Sequence, residues 1–529
     1  MKEISTLGVK KRGGIHISYM SFYAISLVYL VLPIVILFFG WLRPVIAIPA
    51  SILLIGALVW SVRDCTKDCK TTQISNGLSI DVSIKYIVIL AIAVFLLTII
   101  SDVGEYVWGT YDHAFRRAIY RDMVNKSWPI VYDLKEQTNP VINAILPDEV
   151  VGFSYYFAFW TVSAIIGKLF GFAIGNFCVV LWAVIGIFLT MIGMVFVINK
   201  ASYAIIYAYI FFSGLDILPY FYFQTNGTQE WMWLEGYTRH IVYISNINNL
   251  FNVFNQCIPC WLIVVLLMLT KNNRSIGLIG ALTFAYSPWA TIGMVPLAIY
   301  FLVRKEVMDK EKKINIKNIL HPLNIVPAVL MLAIFAPMYM ANSNATSVSG
   351  PTIRFYGSIG AFAGGYIFAV LVELVPIAIL LWKDYKRNPL FWVTMGTLLV
   401  MPFYKISGQN DFTMRGSMPE FFVFTIMLAS VIARVIAENK NNNNAKEKTT
   451  IQSLKFVGAV VILIAMSFVA FQMLLITIVS TFDGSSRFTE SIYSLGDVRD
   501  PEFIDLIDEQ FYVYDYENTF FFKHMARRT

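Results

Sequence analysis

Long apolar segments alternate with short polar ones along most of the chain. A membrane-spanning helix needs about 20 mostly apolar residues to cross roughly 30 Å of hydrocarbon. The segments that fit are 19–41, 44–60, 82–100, 174–198, 201–218, 253–270, 276–303, 319–340, 360–382, 388–404, 415–437 and 455–481. The segment 276–303 is longer than one span needs and breaks at Ser287-Pro288, so we interpret it as two short spans. The pattern predicts an all-α polytopic membrane protein with about 13 transmembrane helices.

The lysines and arginines between these segments indicate an orientation. If Lys10–Arg12 lie in the cytoplasm, the inner loops are 61–81, 199–200, 271–275, 304–318, 383–387 and 438–454, and each contains a lysine or arginine. Such a bias is typical of cytoplasmic loops. The alternation requires the aromatic-rich segment 151–171 to lie along the interface instead of crossing. We therefore expect a multi-pass plasma-membrane protein with a cytoplasmic N-terminus and an extracytoplasmic C-terminus.

The same alternation divides the chain into two parts. A transmembrane domain is expected over 1–481, with large outer loops at 101–173 and 219–252 that bear juxtamembrane helices. The outer segment 482–529 is rich in aromatic residues. We expect this tail to pack on the outer loops.

Composition agrees with a membrane protein and argues against nucleic-acid binding. The chain has 529 residues, of which 57% are hydrophobic and 14% are charged, whereas soluble domains carry about 25% charged residues. The net charge of +7 comes from short clusters of lysine and arginine between apolar segments. That distribution follows from membrane topology, so the bilayer is the expected partner and nucleic acid is not.

Cofactor signals are weak. The five histidines show no metal-ligand spacing, so we predict no firm cofactor. Asp102 and Glu105, three residues apart, are the pair that a divalent cation would use. Cys257 and Cys260 have the C-x-x-C spacing of a redox pair, but two packed thiols explain the spacing equally.

Charges and aromatic residues concentrate in 101–133, directly after an apolar segment. Charged groups are costly near hydrocarbon, so such a concentration favours binding or catalysis at the membrane surface. A helix from about Tyr111 would place Asp112 one turn before Arg116, at the spacing of an ion pair. The alternative is a solvated loop helix whose charges pair with one another. The acidic candidates are Asp112, Asp102, Glu105 and Asp122.

A second polar loop, 405–415, lies between two long apolar segments. Asp411 and Arg415 are one helical turn apart, and Arg415 is placed where a lipid phosphate would lie. The alternative is an interfacial arginine that reaches to water, with Asp411 as a helix cap. In 219–252, Trp231, Trp233 and Tyr237 suit either sugar stacking or an interfacial aromatic belt.

The order of these features resembles the GT-C superfamily of membrane glycosyltransferases. The matching residues are Tyr111-Asp112-His113, Arg116 to Asp122, Trp128-Pro129, Tyr155-Tyr156-Phe157 and Gly167-Lys168-Leu169-Phe170-Gly171. The resemblance covers about 100–310. In that family the first large outer loop usually follows the first span, whereas here it follows the third.

The resemblance implies transfer of a sugar from a polyprenyl-phosphate donor to a glycan, lipid or protein acceptor at the outer face. Asp112 would be the general base, with Asp102, Glu105 and Asp122 as alternatives. The donor phosphate would be bound by Arg415, Arg116, Arg117, Lys405 and Arg354. The sugar or acceptor would be contacted by Trp108, Tyr111, Trp231, Trp233, Tyr237, His240 and Asp411.

Two other functions remain open from the sequence. A transporter or flippase of lipid-linked glycans should carry ionisable residues inside its spans, and Glu373 is the clearest internal charge here. A glycan polymerase or ligase would share the outer-loop chemistry. It would be expected to carry its large outer loop late in the chain, and here the largest follows the third predicted span.

Overall fold

A computed structural model describes the chain over most of its length. The described residues are 14–71, 79–136, 140–146, 149–225, 234–238, 240–270, 272–304, 315–342, 349–408, 410–441, 450–484 and 492–528. Helices dominate these residues, and the strands are short. The chain is therefore an all-α protein in its main architecture.

The helices, in chain order, are α1 Tyr19–Trp41, α2 Pro44–Thr71, α3 Ile84–Ile100, α4 Tyr111–Asn125, α5 Pro140–Ile145, α6 Thr161–Phe170, α7 Phe172–Ile198, α8 Tyr203–Phe211, α9 Ile217–Thr225, α10 Asn246–Leu269 and α11 Ile276–Ala281. They continue as α12 Pro288–Val303, α13 Ile316–Ile319, α14 Pro322–Met340, α15 Ile359–Ala369, α16 Val375–Tyr385, α17 Pro389–Val400, α18 Asp411–Gly416, α19 Met418–Asn441, α20 Thr450–Met466, α21 Phe468–Phe482 and α22 Ile504–Phe511.

Eight helical stretches in the described part of the chain are long and apolar enough to cross a membrane. They are Tyr19–Trp41, Pro44–Lys67, Phe172–Ile198, Asn246–Leu269, Ile316–Met340, Ile359–Tyr385, Asp411–Glu438 and Phe456–Phe482. Shorter apolar helices are Ile84–Ile100, Ala158–Phe170, Ile276–Ala285, Pro288–Val303 and Pro389–Phe403. These lengths and compositions are those of a multi-pass membrane protein.

The predicted span 201–218 is wrong, because no single helix covers it. Helix α8 ends at Phe211, and α9 begins only at Ile217. Between them the chain turns, so that the backbone N–H of Leu215 donates to the carbonyl oxygen of Val372 at 2.9 Å. Glycine and aspartate at positions 214 and 216 disfavour a continuous helix.

The break predicted at Ser287-Pro288 is present, and it forms the tip of a helical hairpin. Ser287 caps α12, and its hydroxyl donates to Gln256 of α10 at 2.9 Å. At the other end, Asn273 before α11 donates to the carbonyl oxygen of Leu302 in α12 at 2.9 Å. Helices α11 and α12 therefore return to the same level of the molecule.

Helix α10 forms the centre of the bundle. Almost all of its side chains are buried, and it packs against α7 and α19. Its first residues bend away at Val253, where the backbone leaves helical geometry. This bend directs 246–252 beneath α4.

The strands tie distant segments together. β1 Gly14–Ser18 pairs with β2 Ser79–Ser83 beside the start of α1. β3 Val131–Asp133, β4 Val150–Phe153 and β9 Tyr512–Val513 form a three-stranded antiparallel sheet. The remaining pairs are β5 Ser349–Pro351 with β6 Tyr404–Ile406, and β7 Ile492–Ser494 with β8 Asp497–Val498.

The segment 492–528, here called the C-terminal segment, packs on the region after α3. Its strand β9 joins the three-stranded sheet, and Phe511 packs against Phe115 of α4 with ring centroids 5.8 Å apart. Its last residues reach the turn between α1 and α2, where Arg43 Nε donates to the carbonyl oxygen of Ala526 at 3.0 Å. The C-terminal segment is thus an integral part of the structure around α4.

Candidate functional site

Helix α4 begins at Tyr111 and carries Asp112 in its first turn, where a carboxylate is stabilised by the helix dipole. The start of the helix is fixed by Thr110, whose hydroxyl donates to Asn252 Oδ1 of α10 at 2.7 Å. One turn later, Arg116 Nη2 lies 3.7 Å from Asp112 Oδ2. The i,i+4 ion pair expected from the sequence is present.

A second arginine reaches the same carboxylate from α18. Arg415 Nη2 lies 3.7 Å from Asp112 Oδ2, and its Nε lies 3.8 Å from Asp411 Oδ1. The helix that orients these two side chains is capped by Asn410, whose side chain accepts from the backbone N–H of Thr413. Two pairs predicted separately thus form one group, the Asp112 cluster: Asp112, Arg116, Asp411 and Arg415.

The two arginines of the Asp112 cluster are buried, whereas its carboxylates are partly open. The side chains of Arg116 and Arg415 are 6% and 8% exposed, against 32% and 28% for Asp112 and Asp411. All three ion-pair distances exceed the usual hydrogen-bond length. Arg116 Nε is buried and donates to no partner among the described residues. Buried donors are normally paired, so the cluster has donor capacity that suits an anion.

Aromatic rings hold Arg116 in this position. The guanidinium carbon of Arg116 lies 5.4 Å from the centre of the Tyr155 ring, and Tyr155 stacks on Tyr156 with centroids 3.8 Å apart. A cation over an aromatic face is stabilised by the ring quadrupole. The sequence associated Tyr155 and Tyr156 with the membrane interface, and the structure places them behind the Asp112 cluster.

Asp102 and Arg117 form a second buried ion pair beside α4, and Arg116 lines the same small cavity as this pair. Next to it, burial lowers the pKa of His113 to about 4, so the ring is neutral at pH 7 and donates from Nε2 to the carbonyl oxygen of Phe251 at 2.5 Å. A cavity of about 20 Å³ lies beside these groups. That volume admits roughly one water molecule, so it offers no room for a sugar.

Glu105 and Asp122, the other acidic candidates, are engaged in structural contacts. Glu105 Oε2 accepts from Arg121 Nη2 at 2.6 Å. Asp122 accepts from the Tyr132 hydroxyl and the Leu495 N–H, both at 2.9 Å, and from the Ser494 hydroxyl at 2.5 Å. Burial raises the pKa of Asp122 to about 6, although these hydrogen bonds oppose the shift. Asp122 therefore fastens the C-terminal segment to α4.

Lys405 and His240 form a second basic group beside α18. Lys405 Nζ donates to His240 Nδ1 at 3.0 Å and lies 4.4 Å from the centre of the Phe355 ring. The carbonyl oxygen of His240 accepts from Asn410 Nδ2 at 2.7 Å, which joins this group to the start of α18. Arg354 is exposed in the adjacent 3₁₀ turn Thr352–Phe355.

The aromatic candidates divide into different environments. Tyr111 is 39% exposed beside Asp112 and stacks on Phe503 of the C-terminal segment with centroids 4.8 Å apart. Trp108 is buried, and its backbone N–H donates to Thr481 Oγ1 at 2.9 Å. Tyr237 donates to Glu373 Oε1 at 2.8 Å. Trp231 and Trp233 lie outside the described residues.

Sequence reasoning missed a group of buried carboxylates, the Glu373 cluster: Asp216, Glu235 and Glu373. Each is at most 3% exposed. Glu373 was noted as an internal charge, but nothing in the sequence joined it to Asp216 or Glu235. The available signal was Pro376, three residues after Glu373. Proline has no N–H, so the carbonyl of Val372 is left free to accept a hydrogen bond from another segment.

Metal and thiol chemistry find little geometric support in the described ranges. No group of three or more histidine, cysteine, aspartate or glutamate side chains is arranged there to hold a metal ion. Cys257 and Cys260 are buried free thiols inside α10. Comparison with known proteins adds no functional assignment: no family model, no curated protein and no solved structure matches this chain.

Proposed function

We propose that this chain is an integral-membrane glycosyltransferase that moves a sugar from a polyprenyl-phosphate donor to an acceptor at the outer face. The supporting observation is the Asp112 cluster, in which a partly open carboxylate meets two buried guanidinium groups from helices far apart in sequence. The acceptor is a hydroxyl group on a glycan, lipid or protein. Both substrates reach the cluster from its open, carboxylate side.

The chemistry follows from the charges of the cluster. Asp112 accepts the proton of the acceptor hydroxyl as its oxygen attacks the anomeric carbon. The bond from that carbon to the phosphate oxygen breaks, and the leaving phosphate gains negative charge. Arg116 and Arg415 stabilise this charge, and each has hydrogen-bond donors directed at the same place.

The proposal includes a topology. The N-terminus is proposed to lie in the cytoplasm and the C-terminal segment outside the plasma membrane, with the hairpin of α11 and α12 entering and leaving at one level. Because both ends of that hairpin lie at one level, it leaves the orientation of the following helices unchanged. The Asp112 cluster then lies at the outer surface, where a lipid phosphate is accessible.

A direct test compares wild type with Asp112→Asn and follows lipid-linked sugars by mass spectrometry of extracted lipids. We expect the variant to lose transfer by about 10²–10⁴-fold, the usual contribution of a general base. Folding should persist, because asparagine keeps the size of the aspartate side chain, while Asp411 and the Tyr155 ring remain beside the two arginines. Asp133→Asn is the matched control, because Asp133 lies in β3 and, among the described residues, its carboxylate accepts from Lys135 N alone. Full transfer by Asp112→Asn would remove Asp112 as the base.

A second candidate function is a transporter or flippase of lipid-linked glycans, and the Glu373 cluster favours it. Ionisable residues inside a span, at an interruption of the helix, are typical of transporters. Glu373 lies within Ile359–Tyr385, in a π-helical turn at Val370–Leu374. The lipid extraction separates the two functions, since a flippase leaves lipid-linked sugars chemically unchanged. A polymerase of lipid-linked cell-surface glycans would instead lengthen them.

A further inference from the structure

The Glu373 cluster brings three acidic side chains together, with no basic partner among the residues that the structure describes. Asp216 precedes α9, Glu235 lies in the 3₁₀ turn Leu234–Tyr237, and Glu373 lies between α15 and α16. No lysine, arginine or histidine in the described ranges forms an ion pair with any of them. Three unneutralised charges in the interior would be too costly to retain.

The backbone is shaped to bring these groups together. Pro376 has no N–H, so the carbonyl of Val372 lacks its usual helical partner and accepts instead from Leu215 N at 2.9 Å. Gly214 lies against the Glu373 carboxyl group, where any side chain would collide with it. The loop before α9 is therefore docked directly on the helix that carries Glu373.

Hydrogen-bond donors are unevenly distributed among the three groups. Glu235 accepts from Ser245 N at 2.8 Å and from Asn248 Nδ2 at 2.7 Å. Glu373 accepts from the Tyr237 hydroxyl at 2.8 Å. Neither oxygen of Asp216 receives a protein hydrogen bond of good geometry in the described part of the chain, although the Ser213 side chain, the backbone of Gly214 and the Glu373 carboxyl group all lie within reach of it. Two buried carboxylates within hydrogen-bonding reach of each other repel unless one is protonated.

We propose that the Glu373 cluster is a proton-binding site, in which a proton shared by Asp216 and Glu373 ties the loop 212–216 to the helix. The turn 234–237 joins the same site through Glu235 and through the Tyr237 hydroxyl, which donates to Glu373. The proton leaves to solvent when the pH rises, and the two carboxylates then repel. The argument for this proton site does not rest on the proposed transfer reaction.

The direction of the pH effect follows from the surroundings. Burial raises the pKa of Asp216 to about 6, and burial with the charge of Asp216 raises the pKa of Glu235 to about 8. Both folded-state values lie above those of the unfolded chain, so the folded state holds these protons more tightly. The stabilisation is complete below about pH 4 and is lost as the pH rises through these two values. The neighbouring titratable groups, Tyr237 and Tyr243, are phenols that stay neutral in that range.

A chain of hydrogen bonds through α10 connects the Glu373 cluster with the Asp112 cluster. Asn248 donates to Glu235, its carbonyl accepts from Asn252 Nδ2 at 2.8 Å, and Asn252 Oδ1 accepts from the Thr110 hydroxyl at 2.7 Å. Thr110 is the N-cap of α4, two residues before Asp112. Loss of the shared proton would therefore loosen the support of α4 as well as the loop before α9.

The test uses the purified full-length protein and measures its thermal unfolding midpoint from pH 5 to pH 9. For wild type we expect the midpoint to fall by several degrees across this range, and for Glu373→Gln and Asp216→Asn the fall should be clearly smaller. Infrared spectra should show a protonated-carboxyl band in wild type that weakens with rising pH and is reduced in Glu373→Gln. Asp384→Asn is the control. Asp384 lies in the same stretch as Glu373, Ile359–Tyr385, but at its far end, where it pairs with Arg434 of α19.

Three outcomes would overturn the proposal. One is a pH slope in both variants equal to that of wild type and of Asp384→Asn. Another is an infrared band that neither substitution reduces. The third is a wild-type slope abolished by added calcium or sodium, since the site would then bind a metal cation. If Glu373→Gln fails to fold, Glu235→Gln replaces it, because its amide oxygen still accepts from Ser245 N while a titrating group is removed, although the bond from Asn248 is lost.

Discussion

Two arginines directed at one carboxylate oxygen define the Asp112 cluster. Helical spacing predicts each pair, Asp112–Arg116 and Asp411–Arg415, because residues four apart share a helix face. Their convergence was beyond prediction, since it depends on how α18 packs beside α4 across about 300 residues of sequence. Asp216 and Glu235 escaped for the same reason: one falls in the predicted span 201–218 and the other in the predicted outer loop 219–252, and only tertiary packing brings them to Glu373.

Arg415 is expected to bind the donor phosphate. In Arg415→Ala, donor binding should weaken about 10-fold or more while acceptor binding changes little, because a charge-assisted hydrogen bond to phosphate contributes about 1.5–3 kcal/mol. Arg415→Lys should recover only part of the loss, since an ammonium group lacks the planar fork of guanidinium. Steady-state kinetics with varied donor and acceptor give both values. Arg434→Ala is the control. Arg434 lies in the same long stretch Asp411–Glu438 but pairs with Asp384 and Glu438. An unchanged apparent donor affinity in Arg415→Ala contradicts its role at the phosphate.

Among the elements, long apolar helices were the most predictable part of the fold. The segment 19–41 coincides with α1, and the Ser287-Pro288 break coincides with a helix boundary. The strands were not predicted, because pieces of two to five residues carry no usable periodicity. The span 201–218 failed because hydropathy records apolar content and cannot show a turn docked on a neighbouring helix.

The hydrogen bonds between Asp122 and the C-terminal segment should determine how firmly that segment is held against α4. Asp122→Ala leaves the Ser494 hydroxyl and the Leu495 N–H without their acceptor, and each buried unpaired donor costs about 1–3 kcal/mol. Trypsin should then cleave after Arg499 several-fold faster than in wild type. An equal cleavage rate in Asp122→Ala and Asp133→Ala would show that the contact does not hold the segment.

For the molecule as a whole, the two ends of α1 mark opposite levels. The β1–β2 pair lies at its start, and the end of the C-terminal segment bonds to the turn after Trp41. A helix of 23 residues is about 35 Å long. The described N-terminal strand and the C-terminal segment are thus separated by about the thickness of a membrane, as the proposed orientation requires.

Labelling tests this orientation. In a background lacking Cys65, Cys69 and Cys178, a membrane-impermeant maleimide should label Tyr106→Cys in intact cells and leave His16→Cys unlabelled. Both positions have exposed side chains, at 46% for Tyr106 as a residue and 65% for the His16 side chain. Permeabilised cells, in which both should react, provide the control. The reverse pattern in intact cells would place the Asp112 cluster in the cytoplasm and end the proposed reaction.

The bond between Asp122 and Ser494 joins two parts of the chain that are synthesised at different times. The two residues are 372 positions apart, so a ribosome adding about 5–20 residues per second needs roughly 20–70 s to make the second after the first. During that interval α4 lacks one of its supports, and Phe115 is not yet covered by Phe511. In the proposed orientation, every nascent molecule passes through this partly assembled state at the outer face of the membrane.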